Sequence, residues 1–214
     1  FKRETKVRIR IGSPVEFGTS ILINHIKSFL DAHPDIRLDF YFSHHLIEPL
    51  IQDEVDLIID CRPHPSAGFE HIHLFREQYI TIAAPAFVKA HKIKSVEDLE
   101  RINLLSNDKH LEWWQNFIMA IPEKNRACLK NVVRINHIRG IINGAIAGLG
   151  IGFVPKYTVL RELAEKILID PFPKIKPGAD HFHIFIKREK LAFKKNKALV
   201  EYLSLLKPSE FGVD

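Results

Sequence analysis

Apolar residues change their spacing several times along the first sixty positions of the chain. Runs rich in β-branched and aromatic residues predict strands at 7–11, 36–42 and 56–60. Between the strands, apolar residues recur every three to four positions and predict two helices: Ile21, Leu22, Ile26, Phe29 and Leu30 in the first, and Leu46, Ile47, Leu50 and Ile51 in the second. This order is typical of a βαβαβ unit with parallel strands.

Two more strands are predicted at 71–75 and 79–84, and a second α/β unit begins near Pro85, with strands at 103–105, 132–135 and 151–154. Ser95-Val-Glu-Asp98 has the form of a capping box, which marks a helix start. Helices are also predicted at Leu111, Trp114, Gln115 and Ile118, at Ile138, Ile141, Ile142, Ala145 and Ile146, and at Leu199, Tyr202, Leu203 and Leu206. Gly148 should end the helix that precedes it. We therefore expect two lobes, with lobe I at 1–81 and 187–214 and lobe II at 82–186.

The turn Gly12-Ser13-Pro14 is the first candidate for chemistry. It ends the first strand and leads into a helix, and in open α/β sheets ligands bind at the carboxyl ends of the strands. Backbone N–H groups at a helix start favour an anion there. The pattern predicts a small-molecule cleft.

The composition is that of a globular chain with an ample core: 214 residues, 46% hydrophobic and 27% charged. The formal charge is +5, but acidic and basic residues alternate without an arginine-rich arm, so the charge does not indicate nucleic-acid binding. No apolar stretch is long enough for a membrane span, and the charged start is no secretory signal. Cys61 and Cys128 lack metal-site spacing, which fits buried thiols in a reducing compartment.

Twelve histidines raise the question of a metal. His71 and His73, and likewise His181 and His183, would share one face of a strand, but zinc needs three or four convergent groups and exposed strands often look like this. We therefore expect no metal and no cofactor. Gly148-Leu-Gly-Ile-Gly152 opens a strand, whereas a dinucleotide motif opens a helix. Ser13 has no assignable base, so catalysis is not supported.

Four segments, in their order and spacing, resemble the effector-binding domain of LysR-type transcriptional regulators. The similarity runs from about residue 7 to residue 206, and Pro85 after the strand at 80–83 adds to it. No winged helix-turn-helix of the kind these regulators carry upstream occurs in the 214 residues. The segments are Arg10-Ile-Gly-Ser-Pro14, His33-Pro-Asp-Ile-Arg-Leu38, Leu50-Ile-Gln-Asp-Glu-Val-Asp-Leu-Ile-Ile59 and Ala147-Gly-Leu-Gly-Ile-Gly-Phe-Val-Pro155.

The resemblance implies a type 2 periplasmic-binding-protein-like fold, with two α/β lobes joined by crossover strands and a ligand cleft between them. It also implies which residues bind the effector: Ser13, Pro14, Ser43, His44, Cys61, Ser106, Asn107, Asn136 and His137, with Phe153 lining the floor. His137 departs from the Ser or Thr that many members have, and Ser43-His44-His45 is rich in imidazole. An acidic effector is favoured by the helix starts and the imidazoles.

The resemblance further implies a cytoplasmic bacterial protein that forms a homodimer or tetramer, through residues near 21–30 and 47–53. It would contact DNA only through a separate N-terminal domain. The alternative is a solute-binding receptor of a transport system, which shares the fold and would require an export signal or a lipid-anchor cysteine upstream. An enzyme on the same scaffold is a third, weaker possibility.

Overall fold

A computed structural model describes residues 7–64 and 67–211 of the chain. The chain forms two compact units: unit 1 comprises Phe1–Arg76 and Asp180–Asp214, and unit 2 comprises Glu77–Ala179. Both divisions fall a few residues before the predicted ends of the first segment of lobe I at 81 and of lobe II at 186. The last strand explains the second difference, because it pairs with strands of unit 1 over its whole length.

The strands occur in both units. Those of unit 1 are β1 (Val7–Ser13), β2 (Ile36–Phe42), β3 (Leu57–Asp60), β4 (Phe69–Arg76) and β9 (His181–Lys187). Those of unit 2 are β5 (Tyr79–Ile82), β6 (Leu104–Ser106), β7 (Val132–Arg134) and β8 (Ile151–Pro155).

The helices connect and cover these strands. In unit 1 they are α1 (Val15–Phe17), a π-helix (Gly18–Leu22), α2 (Ile23–His25), α3 (Lys27–Ala32), α4 (Ile47–Ile51), α9 (Arg188–Leu191), α10 (Lys194–Leu205) and a 3₁₀ turn (Pro208–Phe211). In unit 2 they are α5 (Pro85–Ala90), α6 (Gln115–Ala120), α7 (Ile138–Ile146) and α8 (Leu160–Ala164), with 3₁₀ turns at Val96–Arg101, Glu112–Trp114, Glu123–Cys128 and Lys156–Thr158.

Unit 1 is built on a five-stranded sheet in the order β2-β1-β3-β9-β4. Strand β1 is parallel to both β2 and β3, which confirms the predicted βαβαβ unit. Strand β9 runs antiparallel between β3 and β4. Phe17, Phe75 and Phe182 stack in the core, with ring centroids 4.9–5.7 Å apart. Another cluster joins α4 to the sheet: Leu46, Leu50, Val55, Ile58 and Phe185.

Unit 2 is built on a four-stranded sheet in the order β5-β8-β6-β7. Strand β6 is parallel to β7 and β8, and β5 is antiparallel to β8. One cluster contains Trp114 and Phe117, and another contains the apolar residues of α7. The helix α7 leads to Gly148, whose φ of +75° confirms the predicted stop, since glycine adopts this conformation without steric cost.

The helical pattern at 21–30 predicts one regular helix, and the structure is different. A π-helix occupies Gly18–Leu22, and α2 and α3 are separated at Ile26. At Gly18 a β-carbon would lie 2.3 Å from Phe42, so the chain approaches β2 closely there. The apolar residues are nevertheless buried as the pattern indicates, with Leu30 half-buried. Within residues 7–64 and 67–211, no helix is both long and apolar enough to cross a membrane.

Candidate functional site

The parallel strands of unit 1 place the ends of β1, β2 and β3 at one edge of the sheet. Ser43, just after β2, donates its backbone N–H to the carbonyl oxygen of Ser13, at a distance of 3.0 Å. The Ser13 side chain is fully buried, and its hydroxyl donates to the Pro14 carbonyl oxygen at 3.2 Å. Pro14 is also buried and precedes α1. Ser13 and Pro14 therefore lie beneath the solvent-exposed surface at this edge of the sheet.

Ser43 and His44 are more accessible. The Ser43 hydroxyl oxygen accepts the backbone N–H of His45 at 3.0 Å, which fixes the turn after β2. His44 is exposed, and its Nε2 lies 3.7 Å from the Glu16 carboxylate. The imidazole of His44 is therefore presented at the carboxyl edge, as the resemblance implies.

A buried carboxylate that the sequence analysis missed organises the end of β3. Asp60 has no exposed surface, and its carboxylate accepts the N–H of Cys61 at 2.9 Å. The same carboxylate lies 2.8 Å from both Arg62 Nη2 and His64 Nε2. The sequence does distinguish Asp60, because it is the one charged residue of the otherwise apolar strand β3. Cys61, a predicted contact, is partly buried next to it.

Arg62 links this carboxylate to the turn after β2. Its Nη1 donates to the carbonyl oxygen of His44, while Nε and Nη2 donate to Asp60. The Arg62 side chain is 44% exposed. A guanidinium carries five N–H groups, and the contacts within the described part of the chain use three of them. Arg62 can therefore hold an acceptor at the edge while Asp60 fixes its orientation.

The predicted residues of unit 2 also lie at the carboxyl edge of a parallel set of strands. Ser106 ends β6 and is fully buried, and its carbonyl oxygen accepts the N–H of Ile135 at 2.8 Å. The Ser106 hydroxyl donates to Asp108 at 3.3 Å. The Asn107 carbonyl oxygen accepts Arg134 Nε at 3.4 Å. These contacts tie the loop after β6 to β7.

Asp108, which the sequence analysis did not predict as a site residue, holds the loop after β6 in place. Its carboxylate accepts the backbone N–H groups of His110, Glu112 and Trp113 at 2.8–3.0 Å. Burial alone would raise the pKa of Asp108, but these donors hold the pKa below its usual value. Asp108 therefore remains ionised and keeps the loop in one conformation.

Asn136 and His137 are exposed at the start of α7. His137 is the N-cap residue, and its Nδ1 accepts the N–H of Arg139 at 3.2 Å. Arg139 in turn donates to Glu162 at 2.8 Å and to the Thr158 carbonyl at 3.4 Å. The imidazole thus performs a capping function that Ser or Thr commonly performs.

Phe153 is the predicted site residue that the structure corrects. Its side chain is fully buried in β8, with ring centroids 5.2 Å from Tyr79 and 5.4 Å from Trp114. Its carbonyl oxygen accepts the indole N–H of Trp113 at 2.6 Å. Phe153 belongs to the core of unit 2 and offers no surface to a ligand, because all residues of β8 are buried and no face of that strand is open.

The other predicted residues fall into two groups, one at the carboxyl edge of each parallel set. Unit 1 brings together Ser13, Pro14, Ser43, His44 and Cys61. Unit 2 brings together Ser106, Asn107, Asn136 and His137.

The family model described as the LysR substrate binding domain matches residues 2–205. The chain therefore belongs to this family, whose members have a type 2 periplasmic-binding-like fold with two α/β lobes. Among the curated relatives, the HTH-type transcriptional regulator CitR of Bacillus subtilis is 24% identical over 180 residues, 82% of this chain and 59% of the relative. The regulator ArgP of Vibrio vulnificus is 24% identical over 141 residues, 65% of this chain and 47% of the relative. The chain spans about half the length of these relatives.

Solved structures agree on the fold. The regulatory domain of CrgA, a LysR-type transcriptional regulator from Neisseria meningitidis, has a TM-score of 0.80 at 19% identity, covering 93% of this chain and 98% of that one. The AmpR effector binding domain from Citrobacter freundii has a TM-score of 0.72 at 17% identity, covering 92% and 96%. The comparisons do not favour the alternative of a transport receptor.

Proposed function

We propose that this chain is the effector-sensing and oligomerisation domain of a LysR-type transcriptional regulator that acts in the cytoplasm. The family match supports this reading, and the proposed role is binding rather than catalysis. A separate N-terminal domain would contact DNA, and effector binding would shift the regulator between two arrangements through its different affinity for each.

We further propose that the effector is a small carboxylate held at the edge of unit 1. The observation that carries this is Arg62, a half-exposed guanidinium that the buried Asp60 carboxylate orients. Guanidinium groups bind carboxylates with two parallel hydrogen bonds, and Arg62 keeps N–H groups on Nη1 and Nη2 for this. The hydroxyl of Ser43 and the imidazole of His44 lie in the turn after β2, which Arg62 contacts through the His44 carbonyl oxygen, and they would complete the contact.

The edge of unit 2, taken by itself, also has groups that favour an anion. Asn136 and His137 precede α7, whose first backbone N–H groups favour an acceptor or an anion. Nδ1 of His137 caps the helix, so Nε2 of the ring is the nitrogen that would face a ligand. We propose that Asn107, Asn136 and His137 contribute polar contacts, while Ser13 and Ser106 position the loops from beneath.

A thermal-shift screen tests the effector class. The probes are small mono- and dicarboxylates, each compared with its neutral methyl ester. A carboxylate that binds the native state raises the melting temperature by mass action, and the ester should not. Arg62→Gln should abolish the shift, whereas Arg8→Gln should retain it. Arg8 is the matched control, because it is an exposed arginine that also pairs with an aspartate, Asp39 at 3.0 Å.

Circular dichroism of both variants establishes that each is folded. If esters stabilise the chain as well as carboxylates do, the effector is not recognised by its charge. Equal shifts in Arg62→Gln and the parent would remove Arg62 from the site.

The regulatory role is tested by reading the coding sequence upstream of Phe1. We expect a winged helix-turn-helix followed by a linker helix. An apolar export segment or a lipid-anchor cysteine there would instead indicate a transport receptor and overturn the proposal.

A further inference from the structure

Two imidazoles converge on neighbouring strands of unit 1, close to the end of β3, where Asp60 pairs with His183 of β9. His73 lies on β4 and His181 on β9, and the two strands are antiparallel. Nε2 of His73 is 3.0 Å from Nδ1 of His181. Both side chains are exposed to solvent. The residues are 108 positions apart in the chain, so the sheet alone brings them together.

The register explains the convergence. His73 stands opposite His183, and a bulge between His73 and Phe75 places His181 opposite Arg76. Across this register the His73 ring lies near both histidines of β9, with centroids 5.2 Å from His181 and 5.3 Å from His183. The sequence shows two His-x-His pairs, but their spacing cannot reveal this convergence.

The separation of the two nitrogens is that of neighbouring ligands on one metal ion. With metal–nitrogen bonds of about 2.0–2.1 Å, two ligands at tetrahedral or right angles lie about 2.8–3.4 Å apart. Imidazole suits zinc, copper and nickel, whereas magnesium and calcium prefer oxygen. Only neutral imidazole can bind a metal.

We propose that His73 and His181 form a surface site for a divalent first-row transition-metal ion, with water molecules completing the coordination. His183 lies beside the pair, and its Nδ1 is 3.0 Å from the carbonyl oxygen of His181. The sequence analysis expected no metal because it found no convergent groups. The structure brings two imidazoles together, and water molecules would supply the remaining ligands.

The position of the site gives it a structural consequence. The chain leaves unit 1 after Arg76 and returns at Asp180, so His73 and His181 lie close in sequence to both crossings. An ion bound by both residues would join β4 to β9 at the strand ends where the chain leaves and re-enters the unit. Fraying of these ends should therefore decrease when the ion binds.

The alternative is a hydrogen bond within a neutral pair, in which one imidazole N–H donates to the other ring. Isothermal titration of the untagged chain with zinc chloride and nickel chloride separates the two. Mutation of a side chain that only orients a metal ligand lowers metal affinity by about 10- to 100-fold. His73→Gln and His181→Gln each remove a proposed ligand itself, so each should weaken metal binding by at least this factor. His110→Gln is the matched control, since His110 is exposed and its contact with Asp108 is made by its backbone N–H.

Electron paramagnetic resonance of bound Cu²⁺ gives an independent readout. The parent and His110→Gln should show couplings from two imidazole nitrogens, and each site variant should show fewer. Magnesium chloride should produce no binding.

Circular dichroism confirms folding of the variants, which replace exposed side chains. The proposal is overturned if the folded parent binds neither zinc nor nickel. It is also overturned if His73→Gln and His181→Gln bind either ion as tightly as His110→Gln does. In both cases the two imidazoles form only a hydrogen bond.

Discussion

The carboxylate of Asp60 is fully buried and lies 2.8 Å from Nη2 of Arg62, whose side chain is 44% exposed. The pair combines a desolvated anion with a cation that remains in contact with water. His64 Nε2 and the N–H of Cys61 also contact the carboxylate. Asp60 therefore holds the end of β3 and the following loop in place.

We expect Asp60→Ala to lower the free energy of unfolding by about 2–3 kcal/mol, because several hydrogen bonds to one buried charge are lost together. Urea denaturation followed by circular dichroism measures this. Asp39→Ala is the control, since Asp39 forms an exposed pair with Arg8 that should contribute less than about 1 kcal/mol. Equal losses in the two variants would contradict the role given to burial.

The turn after α7 yields a second prediction. Gly148 has a φ of +75°, and a β-carbon there would have only an ordinary contact, 3.7 Å from Phe87. Gly148→Ala should therefore cost about 1 kcal/mol of unfolding free energy through the backbone alone. Gly148→Asn should cost less, because asparagine tolerates the left-handed conformation. Thermal denaturation of both variants tests this, and an alanine variant as stable as the parent would refute it.

The predictable part of the fold was local. Strands β1 to β3, the capping box at Ser95 and the stop at Gly148 each follow from a few neighbouring residues, and the structure confirms them. The π-helix was not predictable, because the helical pattern does not encode how closely Gly18 approaches Phe42. The pairing of β9 with β3 and β4 depends on contacts far apart in sequence.

The same distinction applies to the candidate site. The turn after the first strand indicated Ser13, and the family resemblance indicated Ser43 and His137; the three lie at the carboxyl edges of the two sheets, and their contact with an effector stays a prediction. The pattern could not place Phe153, since β8 is apolar on both faces and either orientation fits the sequence. The convergence of His73 with His181 depends on the pairing of β4 with β9, which the sequence does not show.

Two exposed apolar residues of unit 1 lead to a prediction about self-association. Ile23 in α2 and Ile51 in α4 are 44% and 53% exposed, and both lie in the segments through which the resemblance implies a dimer. Ile23→Glu should shift the chain toward monomer, because it would bury a charge in an apolar contact. The unfolding free energy of the isolated chain should change by less than about 0.5 kcal/mol, as for other surface positions.

Sedimentation velocity over a range of concentrations measures the shift. Leu205→Glu is the control, because Leu205 is 81% exposed at the end of α10 and outside the implied interface. A parent chain that remains monomeric at every concentration would contradict the dimer, and so would an unchanged distribution for Ile23→Glu.

The capping box of unit 2 makes stability depend on pH. The Asp98 carboxylate accepts the N–H groups of Lys94 and Ser95 at 2.7 and 3.0 Å and pairs with Arg101 at 2.7 Å. These contacts, the Lys94 N–H first, lower the pKa of Asp98 from 3.8 to about 2. A lowered pKa stabilises the folded state above the unfolded value, and the contribution is lost as the pH falls from about 4 to about 2.

Solvent screening reduces this contribution, because Asp98 is not fully buried, so we expect Asp98→Asn to cost about 1 kcal/mol of unfolding free energy at pH 7. The difference from the parent should shrink as the pH is lowered toward 2. Denaturant unfolding at pH 7, pH 4 and about pH 2.5, with an NMR titration of the carboxyl carbon, tests both statements. Asp31→Asn is the control, since Asp31 pairs with Lys27 on an exposed helix surface and lacks backbone donors among the described contacts. A pKa near 3.8 for Asp98, or equal costs for the two variants at pH 7, would show that the cap does not stabilise the charged form.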